Sequence, residues 1–292
     1  MIKGSIVALA TPMLPNGDVD YASLQKLVQF HIANGTDAIV SVGTTGESAT
    51  LPVSEHVSVV EKTVEFAEGK IPVIAGTGAN STSEAVELGD LMQSVGISGM
   101  LSVVPYYNKP QQRGMIQHFT AIADAADVPV ILYNVPGRTV ADLSSESVFV
   151  LAEHQNIVAL KDATGDLNRL EELKAGLSDD FSLLSGDDPT GCEFMLNGGH
   201  GVISVTANIV PKLMSELCIA ATSGNRTLAM EIDASIAELH RKLFIEPNPV
   251  MPKWALYKMG LMQTPHLRLP MVEPDKESQA SLEELLQEMA LI

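Results

Sequence analysis

Ile157-Val158-Ala159-Leu160-Lys161-Asp162-Ala163-Thr164-Gly165 is a short apolar run that carries one amine to its end and then turns polar. Such a run fits a strand covered on both faces, as in a parallel sheet flanked by helices. Similar runs occupy residues 6–10, 38–42, 71–75, 100–104, 128–132, 181–184 and 202–205. With 157–160 they make eight, each separated by room for a helix and two loops. Eight repeats of strand and helix predict a closed (β/α)8 barrel in preference to an open doubly wound sheet. Between the runs lie helical patterns. Leu24, Leu27, Val28, His31 and Ile32 share one face, and Val53, Val57, Val60 and Val64 are expected to share another. Ser81-Thr82-Ser83-Glu84 reads as a capping box opening the third helix.

The barrel is expected to fill residues 1–224. Residues 225–292 are expected to form a C-terminal helical region packed on the barrel or on a neighbouring subunit. No strand pattern follows Pro211, residues 230–244 and 278–292 have helical composition, and Glu246-Pro247-Asn248-Pro249 is a break between helices.

The chain has 292 residues, 46% hydrophobic and 18% charged, which is ordinary for a globular protein with a substantial core. Its 36 acidic and 18 basic residues give a formal charge of -18. That surface repels phosphate backbones and acidic membranes, so nucleic acid and membrane are excluded as partners. An anionic substrate would need local cations or backbone amides to be captured. The two cysteines, Cys192 and Cys218, lack ligand spacing and argue for a reducing compartment. The N-terminal apolar stretch is short and runs into Thr11-Pro12, a first strand and its loop rather than a signal peptide. No apolar run is long enough to span a bilayer. A cytoplasmic location is expected.

In such a barrel the chemistry lies at the C-terminal ends of the strands. The residues following the eight runs are Thr11, Gly43-Thr44-Thr45-Gly46-Glu47, Gly76-Thr77-Gly78, Pro105-Tyr106-Tyr107-Asn108, Tyr133-Asn134-Val135-Pro136-Gly137-Arg138, Lys161, Ser185-Gly186-Asp187-Asp188 and Thr206. Three of the chain's five tyrosines are among them. Each has a plain structural role available: Lys161 as a solvated strand end, Tyr133 as a ring capping the core, residues 43–46 as a tight turn. Glu47 would then complement a helix N-terminus, and Arg138 would serve a surface ion pair. The functional alternatives are a nucleophilic amine, a phenol for proton transfer, a cradle of backbone N–H groups for a carboxylate, and a bidentate guanidinium. A free lysine, with a pKa of about 10.4, is almost wholly protonated at neutral pH, and withdrawal from water favours its neutral form. Gly76-Thr77-Gly78 does not continue into a dinucleotide fingerprint, and no Walker loop, nucleophile elbow or His-Glu-x-x-His occurs. The seven histidines are scattered, so no metal or other cofactor is expected, and His31 reads as structural. What remains is metal-free carbonyl chemistry on an amine.

Taken together, residues 43–47, Tyr106-Tyr107-Asn108-Lys109-Pro110, residues 133–138 and Lys161-Asp162-Ala163-Thr164-Gly165 resemble the dihydrodipicolinate synthase family. That family belongs to the pyruvate-dependent class I aldolases, with N-acetylneuraminate lyase, and the resemblance covers essentially the whole chain. It implies a lyase in lysine and diaminopimelate biosynthesis that condenses pyruvate with L-aspartate 4-semialdehyde through a Schiff base on Lys161. Tyr133 would carry protons and Thr44 would connect it to Tyr107, reaching in from a neighbouring subunit of a homotetramer. The amides of Thr44 and Thr45 would hold the pyruvate carboxylate, Arg138 the semialdehyde carboxylate, and Gly186 and Val205 would line the wall. Arg138 separates this reading from the runner-up, a sialate or other sugar-acid aldolase. A non-catalytic keto-acid-binding barrel is the alternative from another class. The resemblance also implies an L-lysine inhibitor site at Ser48, Ala49, His56, Asn80, Glu84 and Tyr106, with Val53 replacing the histidine of several lysine-sensitive relatives.

Overall fold

The apolar runs pair as expected. In the computed structural model, which describes residues 2–292, they form a closed parallel barrel in sequential order. The strands are β1 (Gly4–Ala8), β2 (Ala38–Ser41), β3 (Val73–Gly76), β4 (Gly99–Val103), β5 (Val130–Asn134), β6 (Ile157–Asp162), β7 (Ser182–Ser185) and β8 (Gly201–Ser204). The third and fifth strands begin two residues later than their apolar runs, just past Pro72 and Pro129. A proline has no N–H to give the ladder. The fifth and sixth also run further toward the mouth than expected, because pairing continues through Tyr133↔Lys161 and Asn134↔Asp162. Both key residues are therefore held within strands.

The helices are α1 (Tyr21–Ala33), α2 (Val53–Ala67), α3 (Thr82–Gln93), α4 (Gln112–Ala125), α5 (Pro136–Thr139) and α6 (Ser145–Ala152). They continue with α7 (Leu167–Gly176), α8 (Asp188–Leu196), α9 (Pro211–Thr222), α10 (Arg226–Lys242), α11 (Val250–Lys258) and α12 (Lys276–Glu288). Ser81 caps α3 and accepts from the Glu84 amide at 3.5 Å. The expected valine face of α2 is turned: its buried stripe is His56, Val59, Val60, Thr63 and Ala67, while Val53 is 55% exposed. Ser41 accounts for part of this rotation, because its hydroxyl meets Thr63 at 3.0 Å between strand and helix.

Alternation along the strands produces two apolar layers. Ile6, Val40, Ile74, Leu101, Ile131, Ala159, Leu184 and Ile203 pack inside the barrel. Val7, Ile39, Val73, Met100, Val130 and Leu160 face outward into a larger cluster that also contains Ile236, Leu239, Trp254 and Leu282 of the C-terminal helices. Those helices thus share the outer core of the barrel. No helix among the described residues is long and apolar enough to cross a membrane. Burial pushes the Cys192 thiol up to about 11 and the Cys218 thiol higher still, so neither is poised as a nucleophile.

His31 is structural, as expected. It is fully buried, its Nδ1 lies 2.9 Å from the Thr36 hydroxyl, and burial pulls its pKa down to about 3. The neutral ring's contribution is intact above the unfolded value near 6.5 and fades as the pH falls toward 3, because only the unfolded chain takes up the proton. Between pH 7 and pH 5 this histidine alone is expected to remove about 2 kcal/mol of stability. Urea unfolding at the two pH values will check this, with His31→Asn expected to show the smaller pH-dependent loss.

Candidate active site

One irregularity sets the aim of the central amine. Val130 pairs with Ile157, but Ile131 pairs with Ala159, so Val158 is an extra residue in β6. Had Val158 been paired in regular register, Tyr133 would lie beside Leu160. The bulge advances the register by one and sets Lys161 beside Tyr133, both facing the barrel interior. The Lys161 amine sits 4.1 Å from the centroid of the Tyr133 ring, and the residue is 6% exposed. None of the ion pairs among the described residues involves it.

The strand end is braced from below. Asp162 accepts from Arg169 Nε at 2.5 Å and from the Thr164 amide at 2.9 Å, and its carbonyl receives the Gly186 amide at 2.7 Å. This brings the turn after β7 against the lysine stem. A Cβ added at Gly186 would stand 2.8 Å from both Lys161 Cε and Ala163 Cβ. Gly186→Ala is therefore expected to push the amine out of line and lower turnover about 100-fold. Initial rates measured alongside the thermal midpoint will separate that loss from the cost of overpacking.

Lys161, Tyr133, Thr44, Thr45, Arg138, Gly186 and Val205 line one cavity of about 130 Å³, floored by Ala8, Val40 and Leu101. The turn over residues 43–47 closes one side. Gly43 O accepts from the amides of Gly46 and Ser48, and Thr44 O from that of Glu47. The amides of Thr44 and Thr45 have no acceptor among the described residues. Two adjacent free N–H groups beside a buried amine suit a carboxylate next to a carbonyl. Glycine at 46 is obligatory, since a Cβ there would come 2.7 Å from Val42 Cα. On the opposite wall, Asp188 accepts from the amides of Val205 and Thr206, both at 2.9 Å, and so fixes the start of the loop after β8.

Thr11 and Thr206 do not line this cavity. Thr11 donates to Gly46 O at 2.8 Å, and Thr206 meets His240 Nδ1 at 2.8 Å. Tyr107 also lies outside it, 88% exposed and in the left-handed region at φ 74°. Arg138 is exposed on α5 and lines the mouth, its Nη2 donating to Asn248 O at 3.3 Å in place of a surface ion pair.

A second cavity of about 510 Å³ adjoins the first through Thr44, Val135, Arg138 and Asn248. Ser48, Ala49, Val53, His56, Glu84 and Tyr106 line it; Asn80 does not, although its carbonyl accepts from Asn108 Nδ2 at 2.8 Å. Burial pulls the His56 pKa down to about 4. Among the described residues there is no cluster of His, Cys, Asp and Glu suited to a metal ion.

Sequence reasoning did not single out Asn248, whose Nδ2 donates to Thr45 Oγ1 at 3.0 Å. The only local signal was its position between two prolines. Nor did it pair Glu47 with Lys253, which lies 206 residues away in the largely buried α11.

A model of the dihydrodipicolinate synthetase family matches residues 1–289. The chain is similar to the 4-hydroxy-tetrahydrodipicolinate synthase of Pseudoalteromonas atlantica, with 61% identity covering 100% of both chains. It is also similar to the solved structure of the chloride-inhibited dihydrodipicolinate synthase of Acinetobacter baumannii complexed with pyruvate. There the identity is 49%, the coverage 100% of both chains and the TM-score 0.98. The Cyanidioschyzon merolae enzyme with lysine bound is 38% identical over 99% of each chain, with a TM-score of 0.96.

Proposed function

The chain belongs to the dihydrodipicolinate synthetase family, and from that premise we propose how its residues condense pyruvate with L-aspartate 4-semialdehyde. It is a lyase of the Schiff-base, class I aldolase type. The observation that carries the residue assignment is the Lys161 amine beside the Tyr133 ring, in a cavity that also holds two free amides and the Arg138 guanidinium.

The pyruvate carboxylate binds the amides of Thr44 and Thr45, which brings C2 to Lys161. The amine adds to the carbonyl, and water leaves to give a protonated imine. That imine draws electrons from the methyl C–H bond, so loss of one proton yields an enamine. Tyr133 carries the proton, connected through Thr44 to Tyr107 of a neighbouring copy. The enamine carbon attacks the aldehyde, which takes up a proton as the new C–C bond forms. The semialdehyde amine then adds to C2, and Lys161 departs as the ring closes. Arg138 holds the semialdehyde carboxylate in its fork, and Gly186 and Val205 shape the wall. As written, the sequence uses no metal or other cofactor.

The barrel of residues 1–224 thus carries the reaction, with residues 225–292 supporting its mouth. The working assembly is a cytoplasmic homotetramer, in which exposed Tyr107 enters a neighbour's site. The larger cavity is the place for L-lysine as an inhibitor, bound through Ser48, Ala49, His56, Glu84 and Tyr106, with Asn80 contributing backbone at its edge. Val53 gives this site one basic group fewer than the histidine of lysine-sensitive relatives.

Incubation with pyruvate and borohydride, followed by peptide mass spectrometry, is expected to place a reduced pyruvyl adduct on Lys161. Absence of that adduct would sink the mechanism and leave a non-catalytic keto-acid-binding barrel. Assayed side by side, aspartate semialdehyde is expected to be consumed and N-acetylmannosamine ignored.

A further inference from the structure

Lys253 is a fully buried ammonium paired with the Glu47 carboxylate, and Glu47 is itself 5% exposed. Burying both charges costs solvation, and a well-packed apolar pair would hold a fold at least as well. The pair's location gives it another use. Glu47 ends the turn whose Thr44 and Thr45 line the cavity with amides that have no acceptor among the described residues, and it adopts a left-handed conformation at φ 60° that a non-glycine residue takes only when held. Contacts on its carboxylate and its amide hold it, besides those its carbonyl receives from Thr50. Its Oε1 meets Lys253 from α11, its Oε2 accepts from the Arg268 amide at 3.0 Å, and its own amide donates to Thr44 O at 3.1 Å. Arg268 is anchored in turn, bidentate to Glu55 at 2.6 and 2.9 Å and donating to Gly17 O. Both contacts on the Glu47 carboxylate therefore come from the C-terminal region rather than from the barrel.

We propose that Lys253 is a positioning residue for the keto-acid subsite: by locking Glu47, it sets where the free amides of Thr44 and Thr45 stand relative to Lys161. This rests on the reading that those amides hold the pyruvate carboxylate. Lys253 touches no substrate and acts only through Glu47. Burial draws its amine below the ordinary lysine value, and the Glu47 carboxylate opposes that shift. The C-terminal helices are accordingly part of the pyruvate site's framework, and a shift of the turn by about 1 Å would suffice to impair imine formation.

The test compares Lys253→Met with the neutral pair Glu47→Gln/Lys253→Met. It reads the pyruvate concentration that half-saturates borohydride trapping on Lys161, the KM of each substrate and the thermal midpoint. Lys253→Met strands a buried carboxylate, so its midpoint is expected to fall and its half-saturating pyruvate to rise about tenfold or more. The double variant removes the stranded charge. Its midpoint is expected to recover while half-saturating pyruvate stays raised and the semialdehyde KM moves less than about threefold. A double variant that regains wild-type pyruvate saturation would make the pair merely structural and overturn the proposal. Failure of the double variant to fold would overturn it too, since the pair would then be required by the fold itself. Absence of trapping in the wild type is a different result, striking the imine reading and this proposal with it.

Discussion

Lys161→Ala is expected to lower turnover by at least about 1,000-fold while leaving the barrel folded. Truncation removes the only group in the cavity that can form an imine, and a shifted neighbour cannot substitute for it. Tyr133 and Thr44 are hydroxyls, and the other cation lining this cavity, Arg138, does not lose its proton in proteins. The stability cost is expected to be small, because among the described residues no carboxylate pairs with the amine and none would be stranded. What is lost is a contact with the Tyr133 ring, worth about 0.5–2 kcal/mol. Turnover with both substrates, measured alongside the thermal midpoint, will check the claim. Retention of more than about a tenth of wild-type turnover would show that the amine is not the nucleophile.

The barrel was legible because strands buried on both faces leave unbroken apolar runs, and eight evenly spaced runs have few other ways to close. Lys161 and Tyr133 were legible for the same reason, since each follows such a run directly. Their exact pairing was not. It depends on the extra residue at Val158, and a bulge leaves no mark in an apolar stretch where every residue suits a strand. The turn after β2 could be read as a cradle of backbone N–H groups, with the Thr44 and Thr45 amides named by the resemblance, but that both lack an acceptor emerges only once the hydrogen bonds of residues 43–48 are assigned. Glu47 was read locally, as a complement to a helix N-terminus. Its partner Lys253 comes from a distant helix, and no local pattern links the two. The face of α2 was misjudged because valine spacing was given more weight than the polar Thr63 and His56, which turn inward to meet hydrogen-bonding or packing partners.

Arg138→Ala is expected to reduce kcat/KM for the semialdehyde about 100-fold and to change pyruvate trapping less than about threefold. The asymmetry follows from position. Arg138 is exposed on α5 at the rim, whereas Lys161 and Thr45, which line the same cavity, are buried. Among the described residues its guanidinium has no carboxylate partner and is held by the Asn248 carbonyl at 3.3 Å, so the fork is available to an incoming acid. The rest of the molecule works against that acid, with a formal charge of -18. The arginine must therefore supply at short range the attraction that the long-range field opposes. Arg138→Lys separates charge from geometry: it retains the cation but loses the planar pair of donors, and its kcat/KM is expected to fall between the wild type and the alanine variant. Raising the ionic strength screens the surface repulsion, with a Debye length of about 8 Å at 0.15 M. Semialdehyde use by Arg138→Ala is therefore expected to gain relatively more from added salt than that of the wild type, whose own attraction is screened as well. Equal losses in semialdehyde turnover and in pyruvate trapping would remove Arg138 from the acceptor subsite and make it a support for the whole mouth.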